Sequence, residues 1–486
     1  MLPARTRLRD GPAMPLVRFA ALSCLLAAAA FAGDFARRFE ELKAAASPAQ
    51  LYALLYDLPK GGDIHNHAGG SNLPEWILAV LTDPARNGGD RFLARVRFAA
   101  APDAIAPAAR FHTVRRHTWE RFPPARRAEY VPLEELTAEE RQGWLDALRL
   151  DAAGEGRAEF FDVLWTRLGD TGRNIHVRTE LLVENLKAFG AEGVLYLETQ
   201  FSVDNLVRND GGALPVDEAV AFVRTRLARP DAAATGVTVR FQESVLRFSP
   251  RAEADLRESY RFVLAHRDLW VGLNLVGIEE RGPGHPRRFL ETFRELRREL
   301  PAVPLAIHAG EMDGPDFHVR DTLLLGASRL GHAVNLIKDP ETLLLLQQSR
   351  RVLVEVNLIS NRLLEYVPDL RRHPFPEYLR TGIPVALGTD DRGMWDSNLT
   401  DEYYTAVTTF GLTWDELVAL GRNSLAHAFV DEREKARLLA RYEERVAAFA
   451  ARYGAGTAAD ALARVADVRP VAHGYARRTW GLSFPP

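Results

Sequence analysis

His65 and His67 stand two residues apart in Gly61-Gly-Asp-Ile-His-Asn-His-Ala-Gly-Gly-Ser71. On a β-strand that spacing turns both imidazoles to one face. Two imidazoles on one rigid strand are half of a tetrahedral metal site. The glycines that follow let the backbone turn sharply beside a ligand. His-x-His alone is a weak signal, equally at home in a polar loop. Its meaning depends on what the rest of the chain supplies. Downstream stand His308 and Glu311 in His-Ala-Gly-Glu, His332 after Arg-Leu-Gly, and the pair Asp390-Asp391. His65, His67, His308 and Asp390 would form a set of three imidazoles and one carboxylate, suited to zinc with a further position open to water. Bound zinc makes hydroxide available near neutral pH. Glu311, on a turn three residues past a ligand, is placed for general acid/base work, and His332 to orient the water and assist its deprotonation. Adjacent Asp390 and Asp391 diverge, so one can face metal and the other substrate. Taken singly, His308 and His332 read more readily as satisfied core histidines, and Asp-Asp as a helix cap. Their joint occurrence at strand ends carries the reading.

Those strand ends belong to a regular alternation. Strand one ends at His67. Then come apolar strands at 193–198, 237–245, 269–275, 305–308, 328–332, 352–356 and 385–389, with helical segments such as 176–189, 216–227, 252–265, 288–300 and 340–348 between them. Strand–helix repeats predict an α/β fold with a parallel sheet, and eight of them a (β/α)8 TIM barrel, whose chemistry sits at the C-terminal strand ends. Residues 84–175 interrupt the pattern. Rich in Arg, Ala and Pro, they read as a helical insertion after strand 1, either over the catalytic face or as a cap away from substrate. From Leu412 the chain is a helical C-terminal extension. Residues 34–58 read as helix on the outside. No low-complexity linker occurs, so residues 33–486 form a single elaborated barrel domain.

Composition is ordinary for a globular protein: 486 residues, 47% hydrophobic, 26% charged. A net charge of −3 gives no basic surface for nucleic acid. Arg5, Arg7, Arg9 and Arg18 precede an apolar run from Phe19 to Phe31, and Ala30-Phe31-Ala32 supplies a small-x-small cleavage pattern. Residues 1–32 therefore read as a signal peptide cut after Ala32, with Met14 as an alternative start. The expected location is periplasmic or secreted, with no stable membrane insertion, because the run is too short to span comfortably. Cys24 is the lone cysteine. The mature chain then has no disulfide, and any metal must be held by His, Asp or Glu.

The motifs resemble those of the adenosine deaminase family, a branch of the amidohydrolase barrels. Leu58-Pro-Lys-Gly-Gly-Asp-Ile-His-Asn-His67 is similar to its opening segment. Val271-Gly-Leu-Asn-Leu-Val-Gly277 with Glu279-Glu280, His308-Ala-Gly-Glu311, Arg329-Leu-Gly-His332, Glu355-Val-Asn-Leu-Ile-Ser-Asn361 and Gly388-Thr-Asp-Asp391 follow in family order. The leader and the Lys-Gly-Gly opening resemble the secreted, growth-factor-related branch. The resemblance implies hydrolytic deamination at purine C6, giving inosine and ammonia, with one zinc per subunit on His65, His67, His308 and Asp390. It implies that Glu311 protonates ring N1, that His332 holds and helps deprotonate the water, that Asp391 meets N7, and that the backbone of Gly277 meets N3. The implied partner is a small purine nucleoside. A homodimer is one of the states the sequence allows.

Two positions depart from the family pattern. Gly69 stands where an acidic residue usually lies near ribose, and Arg392 where proline usually follows Thr-Asp-Asp. The first weakens ordinary ribose recognition. The second places a cation near the pocket mouth, or else faces solvent, and leaves room for a phosphorylated substrate such as AMP. A same-barrel hydrolase of amides or esters and a non-catalytic nucleoside-binding protein are the competing readings. Glu198, also at a strand end, either touches the site or supports it through an ion pair. His373 reads as structural, and His112, His117, His318 and His473 are left unassigned.

Overall fold

The computed structural model describes residues 35–98, 105–279 and 282–485. The signal peptide expected over residues 1–32 lies outside them. β1 (Gly61–His67) is followed by three short strands of the insertion, β2 (Phe92–Arg95), β3 (Thr113–Arg115) and β4 (Tyr130–Pro132). Then come β5 (Val194–Gln200), β6 (Thr238–Leu246), β7 (Trp270–Val276), β8 (Ala306–Ala309), β9 (Arg329–His332), β10 (Leu353–Val356) and β11 (Val385–Leu387).

Two parallel four-stranded arcs, β1-β5-β6-β7 and β8-β9-β10-β11, make the barrel. Two seams close it. At one, Asp390 N donates to His65 O at 2.9 Å and His67 N donates to Asp390 O at 3.1 Å. At the other, Leu273 N donates to Pro304 O at 3.0 Å. The first seam joins three candidate metal ligands directly through their backbones, so closing the barrel also assembles the site. The α/β barrel expected from the strand–helix repeats is present.

Outside it, residues 35–45 and the helix Pro48–Asp57 pack on the C-terminal helices. Ser47 and Gln50 form a capping box that starts the second of these, with Pro48 in its first turn. Phe35 meets Trp414 edge-on at 4.6 Å. In the helix Glu432–Gly454, Leu438, Tyr442, Phe449 and Tyr453 are buried at helical spacing.

The insertion is not wholly helical. It carries an antiparallel sheet in the order β3-β2-β4. These strands are three or four residues long and carry Arg95 and Arg115, so no period-two apolar pattern could reveal them. Arg115 is fully buried and pairs with Asp90. Helix Ala138–Asp146 and a π-helical turn, Glu159–Leu164, complete the segment.

Candidate active site

The C-terminal ends of β1, β8 and β11 bring His65, His67, His308 and Asp390 together. Their ligand atoms all lie within 4.8 Å of one another. His67 Nε2 is 3.3 Å from His308 Nε2, and Asp390 Oδ1 is 3.0 Å from His67 Nε2 and 3.5 Å from His65 Nε2. The outer ring nitrogens are occupied: His65 Nδ1 lies 2.7 Å from Glu355 Oε2, and His308 Nδ1 lies 2.9 Å from Asn274 Oδ1. Such acceptors fix the tautomer and leave each Nε2 facing inward. Burial, then the neighbouring rings of His65, His332 and His67, push His308 well below the usual imidazole range. Burial also resists charging His65, but Asp390 and Glu355 on either side outweigh it and hold that ring up at about 10. Inward ring nitrogens, backed by carboxylate and amide acceptors, fit one divalent cation of the zinc type, whose binding would displace the His65 proton.

Asp390 has φ 53° and His332 φ 64°. Both are residue types that enter the left-handed region more often than other non-glycine residues, and here the surrounding structure holds them there.

Glu311 faces the cluster from the turn after β8. Gly310, at φ 73°, makes that turn possible: a Cβ there would meet Asn335 Oδ1 at 2.3 Å. The Glu279 carboxylate accepts the N–H of Gly310 at 2.9 Å and of Glu311 at 3.2 Å. Burial, then the negative charges of Asp390 and Glu279, drive the Glu311 carboxyl well above the ordinary carboxylate range. Its surroundings thus favour the neutral, protonated form. His332 Nε2 lies 3.7 Å from Glu311 Oε1 and 4.0 Å from Asp390 Oδ2. Burial depresses this imidazole to about 3, so the ring is neutral.

Above this floor opens a cavity of about 590 Å³. His67, His308, Glu311, Asp390 and Asp391 line its base, and Gly277 one side. Asp391 Oδ1 is buried without a hydrogen-bond partner. Burial and the adjacent Asp390 hold its carboxyl well above the usual range. Gly277 takes φ 97°, and a Cβ there would meet Phe248 at 2.7 Å, so only glycine brings the backbone this close. The insertion supplies the opposite wall through Phe160, Phe161, Trp165 and Leu168. The insertion thus lines the cavity over the strand ends. Apolar walls around a few convergent polar groups are the usual form of a small-molecule site.

Residues 170–445 match the family model described as adenosine deaminase. The chain belongs to the adenosine deaminase family. Among relatives of this family, an adenine deaminase from Chelativorans sp. (strain BNC1) is 32% identical over 264 residues, covering 54% of this chain and 78% of that protein. An adenosine deaminase from Erwinia tasmaniensis is 32% identical over 259 residues, covering 53% and 75%. Solved structures agree on the fold. An amidohydrolase from Burkholderia ambifaria with bound Zn superposes with a TM-score of 0.60 at 20% identity, covering 86% of this chain and 95% of that one. The apo N6-methyl-AMP deaminase from Arabidopsis thaliana gives 0.58 at 20% identity, covering 81% and 98%. As a member of this metal-dependent family, the protein is a hydrolase acting on carbon–nitrogen bonds, of the purine deaminase class.

The two departures from the family pattern resolve differently. Arg392 is fully buried, 2.9 Å from Glu192 Oε1 and 4.3 Å over the ring of Phe189. It does not line the cavity, so the expected cation near the pocket mouth is not this residue; helix geometry after Asp391 turns it into the core. Gly69 does line the cavity, and Trp165 of the insertion occupies the space beyond it. Glu198 pairs with Arg329 and is buried off the cavity, which selects the ion-pair reading. His318, unassigned from sequence, has its Nδ1 2.7 Å from Glu279 Oε2. Sequence reasoning gives Asn274, Glu279, Glu355 and Asn361 no role. Only Glu355 at a strand end offered a sequence signal, since contact with a ligand's far nitrogen leaves no periodicity.

Proposed function

We propose that the chain hydrolyses the C6 amino group of a purine nucleoside, adenosine or 2′-deoxyadenosine, to give inosine-type product and ammonia. One zinc per subunit would sit on His65, His67, His308 and Asp390. When bound, zinc lowers the pKa of water and supplies hydroxide near neutral pH. The observation that carries the reading is the place of Glu311 on the cavity floor beside that cluster, where burial and the charges of Asp390 and Glu279 favour its neutral form. A carboxyl held neutral can give its proton to ring N1 and make C6 electrophilic. Asp391, whose protonated form burial and Asp390 likewise favour, can in that form donate to N7. The Gly277 backbone can approach N3. His332, neutral and buried beside Glu311 and Asp390, faces the oxygen added at C6. The aromatic wall of Phe160, Phe161 and Trp165 keeps bulk water from the reacting atoms. The reading includes export, supported by the Arg-flanked apolar leader ending in Ala-Phe-Ala.

A specific observation favours a second substrate, a nucleoside 5′-monophosphate. Arg178 is the one Arg or Lys among the described residues lining the cavity, held 4.6 Å over the Phe201 ring. An Arg fork is well matched to a phosphate.

The test follows the ultraviolet change and ammonia release with adenosine and with AMP, with and without chelator, and then with Glu311→Gln. Chelator-sensitive turnover that falls by about 10²–10⁴ in Glu311→Gln supports the reading. Unchanged ammonia release from that variant would overturn the assigned proton donor.

A further inference from the structure

His332 has two ring nitrogens, and which of them carries the proton decides what it can do. A neutral imidazole with hydrogen on Nε2 donates into the site; one with hydrogen on Nδ1 accepts there. The surrounding network settles the choice from a group whose role is never ambiguous, a backbone amide.

Phe375 N–H donates to His373 Nδ1 at 3.1 Å. That nitrogen is therefore an acceptor. His373 is buried, and burial depresses its pKa to about 3, so the ring is neutral and its single proton is on Nε2. His373 Nε2 lies 3.0 Å from Asn361 Oδ1 and donates to it. The Asn361 amide is thereby oriented with its NH₂ on the other side. Asn361 Nδ2 stands 3.0 Å from His332 Nδ1 and must donate. The reverse amide orientation would set a donor against a donor at His373. His332 Nδ1 is then an acceptor, and its proton is on Nε2. Nε2 itself is buried with no hydrogen-bond partner and points between the carboxylates of Glu311 and Asp390.

One neighbour opposes this. Asn357 approaches His332 Nδ1 at 3.4 Å. Its amide is best satisfied with nitrogen turned to the carbonyls of Gly388 at 3.1 Å and Val356 at 3.3 Å, which leaves the oxygen to accept from His65 Nε2 at 3.3 Å while it also faces His332 Nδ1. The shorter contact from Asn361 decides, because two donors cannot share a 3.0 Å line.

We infer that Asn361 and His373 are positioning residues that lock His332 with its proton on Nε2, so that it serves the reaction as a hydrogen-bond donor and not as a proton acceptor. The inference rests on the purine deaminase reading of the cavity for its catalytic consequence, but the lock itself does not. A preorganised, unpaired N–H aimed at the place where an oxygen gains charge stabilises the transition state more than the bound substrate. This replaces the expectation that His332 takes a proton from water.

The lock is tested on the zinc-loaded full chain by ¹⁵N-detected histidine NMR, with His332 assigned by substitution. The expected spectrum has a protonated-type Nε2 and a bare-type Nδ1. Asn361→Asp puts an acceptor beside Nδ1 and should move the proton there, lowering kcat for adenosine or AMP by about 10²-fold with KM changed far less. His373→Leu should lose part of kcat, and His373→Gln, whose amide can still donate to Asn361 Oδ1, should recover it. A wild-type spectrum with hydrogen on Nδ1, or a folded, zinc-loaded Asn361→Asp with wild-type kcat, overturns the lock. If Asn361→Asp does not fold, the wild-type spectrum decides alone. Turnover with hydrogen on Nδ1 removes the lock and leaves the deaminase; hydrogen on Nε2 without turnover does the reverse.

Discussion

A methyl group placed on Gly69 would stand 3.1 Å from Cζ3 of Trp165. One residue follows strand β1, and the other comes from the insertion nearly a hundred positions later. Their contact makes the indole a wall of the substrate cavity where a side chain would otherwise be. Trp165→Ala should therefore widen the mouth and weaken substrate binding. KM should rise about tenfold, the loss of one well-packed aromatic contact of about 1.4 kcal/mol, while kcat stays within a small factor. Steady-state kinetics with adenosine and AMP read both constants. A fall in kcat with KM constant would contradict the role.

Glu279 holds the turn that carries Glu311. Removing its carboxylate in Glu279→Ala leaves the N–H groups of Gly310 and Glu311 and the His318 ring without their partner. A displacement of Glu311 by about 1 Å is expected to cost about 10²-fold in kcat. Zinc content measured by atomic absorption should stay at wild-type level, since no ligand is touched.

Removing the metal should destabilise the fold as well as stop the reaction. Three inward imidazole nitrogens and Asp390 are held close together, and only the folded chain assembles them. At a thousandfold excess over its dissociation constant a native-state ligand adds about 4 kcal/mol. Chelated protein should melt several degrees lower in a thermal scan, and added zinc should restore the midpoint. An unchanged midpoint would argue against a bound cation at this cluster.

Glu243 gives the protein a pH-dependent weakness. Burial, opposed by the Ser202 hydroxyl at 2.7 Å, raises this carboxyl to about 8. Its folded pKa exceeds its unfolded value of about 4.3, so the native state binds the extra proton between them. The stabilisation is full below the unfolded value and is lost as pH rises through 8. Glu243→Gln keeps an acceptor for Ser202 and stays neutral. It should gain a few kcal/mol over wild type at pH 9 and nothing at pH 4, as urea titrations at the two pH values would show.

Arg178 should separate the two substrate readings. Arg178→Ala should depress kcat/KM for AMP by about 10-fold or more, the value of a charge-assisted contact of about 1.5–3 kcal/mol, and leave adenosine nearly untouched. Equal losses on both substrates would assign Arg178 to packing on Phe201.

Much of the site was legible in the sequence because barrel topology sends every strand end to one face. His65, His67, His308, Glu311, His332, Asp390 and Asp391 each stand at or just past the end of a short strand, and a parallel barrel has only one place to put such residues. The strand–helix alternation determined the fold for the same reason: periodicity is local and survives without neighbours.

What tertiary structure alone decided depends on which distant side chains meet. Arg392 follows the Asp pair in sequence, yet its guanidinium turns inward to Glu192 and Phe189. The insertion's Trp165 reaches Gly69, and its short charged strands form a sheet that no alternation announces. Most of all, the proton on His332 is set by a chain of contacts from Phe375 through His373 and Asn361. Hydrogen-bond direction is a property of the assembled network, and no spacing within the sequence encodes it.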